Sequence, residues 1–472
     1  MTKNLKQQLL ALLALSIFLV GCSGEDDSPI NEENKDADVT TLTNFSFKKA
    51  DNDGLSSDAN SKKSENTIYI TVPESQSLTS LIPSFTIAQG ATASINNTPI
   101  ESGITPCDFS NTVTMLVTSE SGKKSSYTIL AKNGIAKVDN KVYDFMIKYK
   151  IPGASVAIST DEAIAYKAGY GFAVTENKIR VTPRTLFRLA SMSKQQTAFG
   201  IMALYEKGLL SIDDKVFGEG AILEEEFGTD ILPEVKDITV KHLLQHTSGW
   251  DIDPIYTSAT TSLEERIKEM ITLQKNAPKY KVGTTFDYNN LNFCILGKII
   301  ETLSGTDYET FLHEEVHAKA SISNIFVGKN SPNNRRANEC KYYGQDGRNP
   351  YGNDVEMSKA AGGMIACTEE LMTLMNHIDY GTKVPDIFKK ETLDMMYTPY
   401  KEGGSYALGW RTNHTTLTNW ATHHGGTLAG VSTIWSRGKD GTHGVVLCNS
   451  RSYKSGFDTA MWLMLEDIQQ MF

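Results

Sequence analysis

The pattern of apolar and polar positions changes character several times along the chain. Leu9 to Val20, "LLALLALSIFLV", is apolar without a period; Lys3 and Lys6 precede it and Gly21-Cys22 follow it. That layout predicts a secretory signal over 1–22, too short for a stable membrane span. Residues 23–40 are polar and acidic with no apolar period, so they read as a flexible tether. Over 41–133 short stretches such as "NTIYITV", "NTVTMLVTS" and "SYTILAK" alternate apolar and polar positions, as in Val113, Met115 and Val117, and are separated by turn residues. This predicts a run of short strands. From residue 134 the period becomes mixed. "KVDNKVYDFMIKYK" reads as a helix ending before Pro152-Gly153, and "ASVAIST" with "AIAYKAGYGFA" reads as a strand pair. Helices over 195–205 and 291–303 stop near Gly208 and Gly305. A hairpin turns at Asp440-Gly441, and an amphipathic helix closes the chain.

The 41–133 strands suggest a β-sandwich of immunoglobulin-like type, with a spacer role or a cell-wall or glycan contact both open. Residues 134–472, with helices at both ends of a strand-rich segment and a helical middle, predict an α+β domain of enzyme size. Leu19-Val20-Gly21-Cys22 resembles a bacterial lipobox, which implies that Cys22 carries a diacylglycerol and tethers an exported protein to a membrane. The acidic "CSGEDD" that follows resembles an export tag for outer-membrane lipoproteins, and a plain solvated tether explains it equally well. The formal net charge of −10 carries no basic surface for nucleic acid. Cys107, Cys294, Cys340, Cys367 and Cys448 are dispersed, without a C-x-x-C spacing, and predict neither a disulfide framework nor a cysteine metal cluster.

The first candidate chemistry is "ASMSKQQTAFGIMALYEKG", which places Ser191 and Lys194 at i and i+3 where a helix begins. Those side chains share a helix face, so an amine can sit beside a hydroxyl. The positive end of the helix dipole favours an oxyanion over an ammonium, which suits Ser191 as nucleophile and Lys194 as base. The same spelling recurs at Ser46, Ser121 and Ser436, but no helix follows there.

Two further elements follow in order: Tyr288-Asn289-Asn290 on a loop before a helix, and His424-Gly425-Gly426 entering a strand. Together the three resemble the S-x-x-K, Y-x-N and K-T-G or H-x-G motifs of the serine β-lactamase and penicillin-binding superfamily, in its class C-like branch. "LLQHTSG", "AAGGMIACTEEL" and "YALGW" agree, and the resemblance runs from about residue 140 to the end of the chain. It implies a β-lactamase/transpeptidase-like fold, an antiparallel sheet flanked by helices with a helical subdomain, and no cofactor. It also implies a small-molecule or peptide substrate. On this resemblance Ser191 forms an acyl-enzyme while Lys194 and Tyr288 exchange protons. Asn290 bonds the substrate's amide side, and His424 takes the place of a lysine that contacts a substrate carboxylate. The backbone N–H groups of Ser191 and Thr427 form an oxyanion hole, and Gly425 and Gly426 let the strand approach. A histidine in the third element replaces a fixed charge with a titratable one. That resembles DD-peptidases, D-aminopeptidases and esterases more than cephalosporinases. His246 reads as a loop-fixing residue, and His423 as facing away from the site.

Two other readings compete. His313-Glu314-Glu315-Val316-His317 spells the H-E-x-x-H of zinc peptidases, with Glu339 available as a third ligand. A continuous helix over 307–320, however, turns Tyr308, Phe311, Leu312 and Val316 inward and puts both histidines on its polar side. The remaining reading is a non-catalytic penicillin-fold binding or sensor lipoprotein.

Overall fold

The computed structural model describes residues 38–257, 261–412 and 418–472; the signal, Cys22 and nearly all of the tether lie outside the described residues. Strands between Leu42 and Asn133 form a three-stranded and a six-stranded sheet. Inward positions of both sheets, Phe47, Ile70, Met115 and Ile129 among them, share one apolar core. The strand Val113–Thr118 shows why: its residues alternate strictly between buried and half-buried. Thr67–Val72 departs from that alternation, being buried on both faces after Thr67. Ile68 and Ile70 face the sandwich core, whereas Tyr69 joins Leu130 in a second cluster with Val142 and Tyr143 of the helix Ala136–Tyr149. Tyr69 and Tyr143 stack with centroids 4.9 Å apart.

Charge reinforces this junction. Asp139 is fully buried; its Oδ1 accepts hydrogen bonds from Lys132 Nζ at 2.8 Å, Tyr170 OH at 2.6 Å and the Tyr166 hydroxyl. Lys132 belongs to the last strand of the sandwich and Asp139 to the first helix beyond it. Burial lowers the Lys132 pKa, and the Asp139 carboxylate opposes that shift.

The second unit is built on a seven-stranded antiparallel sheet in the spatial order Ile179–Arg180, Ala163–Val174, Gly153–Thr160, His443–Cys448, Val431–Gly438, Trp420–Leu428, Arg411–Thr412. The central strands are buried along nearly their whole length because both faces are covered. Ile434 and Val446 pack under Ala136–Tyr149 and Phe457–Gln469, while Trp435, Val445 and Leu447 face the helical side. On that side lie Ser193–Glu206 and Asn290–Ser304, the latter ended by Gly305 in the left-handed conformation at φ 68°. The hairpin forms with Gly441 at φ 82°. The result is a β-lactamase/transpeptidase fold behind a β-rich module.

Candidate active site

The segment that carries Ser191 is held from two sides. Leu189 N donates to Met364 O at 2.8 Å, and Thr433 Oγ1 donates to Leu189 O at 2.9 Å. Between them Ala190 is forced to φ +49°, a left-handed conformation for a residue with a Cβ; such strain costs about 1–3 kcal/mol and persists only where neighbours impose it. Ser191 then sits in a 3-10 turn, Ala190–Met192, and the α-helix proper starts one residue later at Ser193. Lys194 is fully buried, with Nζ 2.7 Å from Asn290 Oδ1, 2.7 Å from Ala361 O and 3.4 Å from Ser191 Oγ. Two short acceptors fix two N–H bonds of the amine and aim its third tetrahedral position at the serine.

The Tyr288 loop is set by His246, which stands at φ +55°. Asn289 N donates to His246 Nδ1 at 3.1 Å, and Asn289 Oδ1 caps the helix Asn290–Ser304 by accepting from Leu291 N at 3.0 Å. The His246 ring packs on Tyr288 at 4.4 Å and Tyr406 at 4.8 Å. Burial, then Lys194 and His424, hold its pKa well below the usual value, so it fixes the loop as a neutral ring. Tyr288 lies beneath Lys194 Nζ, 4.8 Å from the ring centroid, and its buried hydroxyl makes no hydrogen bond among the described residues.

The strand Trp420–Leu428 brings the third element alongside. At Gly426 a Cβ would lie 2.1 Å from Leu189 O and 2.3 Å from Thr433 Oγ1, so only glycine allows this approach. Gly425 differs from the expectation drawn from its motif, because a Cβ there would meet nothing closer than 3.4 Å. Thr427 is exposed and accepts from Arg451 Nη1 at 3.1 Å. His423 faces away, against Trp420 and Trp462.

His424 also departs from its motif. It is buried, Nδ1 lies 2.8 Å from Gly425 O, and Tyr406 OH bonds Nε2 at 2.9 Å. Burial first, then the charges of Arg411 and Lys194, hold its pKa well below the usual range. A neutral ring with both nitrogens engaged supplies no cation for a carboxylate. The cation nearby is Arg411, half-buried on the edge strand, its guanidinium carbon 5.5 Å from the Tyr288 centroid and 5.8 Å from that of Tyr406. Among the described residues no carboxylate forms an ion pair with it. Asp253 is the second residue the motifs do not reveal; its Oδ2 accepts from both Asn290 N and Asn290 Nδ2 at 2.7 Å. The available signals were only positional, since Arg411 directly follows "YALGW" and Asp253 follows "LLQHTSGW" by three residues.

The H-E-x-x-H segment is not the outer face of a continuous helix. Tyr308–Leu312 is α-helical, but His313–His317 is a π-helical turn and Ala318–Ala320 a 3-10 turn. The wider turn shifts the phase: His313 stays exposed while His317 is buried, with Nε2 3.0 Å from Gln196 Oε1. The expectation that both histidines are exposed is thus wrong for His317. Glu339 is engaged elsewhere, by Tyr342 OH at 2.7 Å and Arg336 N at 2.9 Å. Glu314 is exposed, and among the described residues no group of three His, Cys, Asp or Glu side chains is placed to hold a metal ion.

This chain belongs to the Beta-lactamase family, whose model matches residues 138–466. Residues 42–130 match a second model, the N-terminal domain of SGBP. Protein flp of Staphylococcus aureus strain MRSA252 is 24% identical over 329 residues, covering 67% of this chain and 63% of flp. The chain thus spans less than two thirds of that relative's length. A D-amino acid amidase from Ochrobactrum anthropi SV3 superposes with a TM-score of 0.57 at 19% identity, covering 71% of this chain and 99% of the amidase. A D-alanine carboxypeptidase from Burkholderia cenocepacia superposes with a TM-score of 0.56 at 20% identity, covering 69% and 97%. At these identities the structural likeness establishes the fold.

Proposed function

We propose that the protein is a serine acyl hydrolase with Ser191 as its nucleophile. The observation that carries this reading is the placement of Lys194 Nζ, clamped by Asn290 Oδ1 and Ala361 O and directed at Ser191 Oγ. Ser191 Oγ attacks the carbonyl carbon of an amide or ester, and its proton passes to Lys194 Nζ or the Tyr288 oxygen. The backbone N–H groups of Ser191 and Thr427 hold the oxyanion, at about 3 kcal/mol per donor. The C–N or C–O bond then breaks as that proton is delivered to the leaving group. Water attacks the acyl-enzyme by the reverse route, releasing the acid and restoring the serine hydroxyl. The unpartnered Tyr288 hydroxyl suits it to bond the leaving group, and Arg411 takes the carboxylate role that neutral His424 cannot fill. Relatives named for D-amino acid amides and D-alanine peptides favour substrates of that class. A panel of nitrophenyl esters, D-alanyl peptides and a chromogenic cephalosporin, run on wild type and Ser191→Ala, tests the reading. Turnover vanishes in a folded variant on this mechanism, and full activity without Ser191 ends it.

The protein is exported and held to a bacterial membrane by a lipid on Cys22. The charged-apolar-small layout of 1–22 supports this, and radiolabelled fatty acid failing to enter the mature protein would overturn it. The SGBP-like module is a candidate glycan contact, supported by its family match and by a cleft of about 710 Å³ lined by Asn44, Lys63, Phe85 and Ser102 among others. Retention of the full chain on immobilised polysaccharides tests that role.

A further inference from the structure

The clamp on Lys194 depends on one backbone carbonyl, Ala361 O, and that carbonyl sits in irregular backbone. Lys359–Gly363 is a π-helical turn leading into the strand Met364–Ala366, a rare geometry that recurs at functional sites. Buried hydroxyls hold it. Ser193 Oγ accepts from Met364 N at 3.0 Å. Thr197 Oγ1 lies 2.6 Å from Ala360 O and 2.7 Å from Tyr308 OH. Ala360 O can only accept, so the single Thr197 hydroxyl hydrogen goes to it and Tyr308 donates its own to Thr197 Oγ1. Other contacts of the same hydroxyls, 3.3 Å to Ser193 O and 3.5 Å to the thioether Met364 Sδ, are weaker. Thr197 and Tyr308 are both fully buried and belong to different helices. Glu301 Oε1 joins the π-turn to Tyr308 a second time, accepting from Lys359 Nζ at 2.6 Å and from Tyr308 N at 3.2 Å. On another side a Cβ at Gly297 would lie 2.6 Å from the Ala360 Cβ, so the turn packs directly on the backbone of the helix Asn290–Ser304.

We infer that the hydrogen-bonded chain from Tyr308 through Thr197 to Ala360 is a positioning device for the reacting lysine: it fixes Ala361 O, and through it the direction in which Lys194 meets Ser191. This rests on the serine hydrolase reading above. An amine ready to take a proton carries two N–H bonds and one lone pair. With the two N–H bonds held by Asn290 Oδ1 and Ala361 O, the lone pair is left facing Ser191 Oγ, 3.4 Å away. With Ala361 O displaced, the amine is held by Asn290 alone and turns about its Cε–Nζ bond, which carries the lone pair off the serine. Thr197 and Tyr308 touch no reacting atom, so they are positioning residues. Their loss acts on bond formation at Ser191 and leaves the walls of the cleft in place.

The test compares Thr197→Val, Thr197→Ser and Tyr308→Phe with wild type. A fluorophosphonate probe, which bonds the serine oxygen and expels fluoride, gives the maximal labelling rate and the probe concentration at half of it. Hydrolysis of a nitrophenyl ester gives kcat/KM, and circular dichroism with the denaturant midpoint checks folding. Thr197→Val, close in shape but without the hydroxyl, should lose roughly tenfold to a hundredfold in maximal labelling rate and in kcat/KM, the upper figure being that of a reacting group misplaced by about 1 Å. The half-saturating concentration should stay unchanged. Thr197→Ser keeps the hydroxyl and should restore most of the rate. Tyr308→Phe keeps the Thr197 bond to Ala360 O and should lose less than Thr197→Val in the same quantity. A Thr197→Val protein that labels at the wild-type rate, a Thr197→Ser protein that is equally slow, or a loss confined to the half-saturating concentration overturns the inference alone. A wild type that takes up no probe at Ser191 and hydrolyses no ester overturns the serine hydrolase reading and the inference with it. If Thr197→Val misfolds, Tyr308→Phe decides, an unchanged labelling rate there overturning the inference.

Discussion

Gly426 gives the sharpest handle on the proposed site, because the structure fixes what an added methyl would do. A Cβ at Gly426 would sit 2.1 Å from Leu189 O, 2.3 Å from Thr433 Oγ1 and 3.0 Å from the Ala190 Cβ. Real Cβ atoms keep at least 3.0 Å, so the strand and the Ser191 turn must part by about 0.9 Å. Leu189 O is backbone, pinned by Thr433 Oγ1 on the neighbouring strand, so it has no side-chain torsion to relieve the clash. The separation falls between Ser191 N and Thr427 N, the two donors assigned to the oxyanion. A misplacement of about 1 Å costs on the order of a hundredfold in rate, and overpacking of this kind costs about 1–3 kcal/mol of stability. Gly425→Ala is the matched comparison, since its Cβ would meet Thr433 O at an ordinary 3.4 Å. The assay is kcat/KM on the best substrate of the panel, with unfolding followed by circular dichroism. Gly426→Ala should lose about a hundredfold in a folded protein while Gly425→Ala loses less than about tenfold. Equal activity of the two variants would refute the placement of the oxyanion hole between this strand and the serine turn.

Other expectations follow from the same geometry. Lys132→Met leaves the Asp139 carboxylate buried without its cation and should cost about 3–5 kcal/mol, read as a fall in the denaturant midpoint; a change below about 1 kcal/mol would show that the sandwich and the hydrolase are not joined through this pair. His317 is pushed down to about 3 by burial and, less, by His313. Its depressed folded pKa means that stability is complete above the unfolded value of about 6.5 and is lost as pH falls from there toward 3. His317→Gln should therefore flatten the acid limb of a stability-versus-pH curve by up to about 1.4 kcal/mol per pH unit, leaving the contributions of His246, His423 and His424, which burial also holds low; an unchanged slope would contradict a neutral buried His317. A chelator such as 1,10-phenanthroline should leave hydrolysis intact, and His313→Ala should shift stability by no more than about 0.5 kcal/mol. Activity lost to the chelator and restored by zinc would reinstate the metal reading.

What the sequence by itself determined is local. A serine and a lysine three apart at a helix start, a tyrosine and an asparagine two apart before another helix, and a glycine pair in a strand are each neighbours along the chain, so their spelling alone keeps the members of each pair close. Start and stop residues located the helices Ser193–Glu206 and Asn290–Ser304, Asp440-Gly441 located the hairpin, and alternation of apolar and polar positions located the β-rich character of the first module. Only tertiary structure decided the rest. Ala190 takes a left-handed φ because Met364 and Thr433, far along the chain, grip its neighbour Leu189. His317 turns inward because a π-turn breaks the α period, and Gln196 awaits it there. Whether His424 is a cation depends on the dielectric around it and on the charges of Arg411 and Lys194, not on the spelling of its motif. Asp253 and Arg411 come to the nucleophile from loops and an edge strand that no period governs, so their part in the site arises from long-range packing and electrostatics, which act through distance in space rather than along the chain.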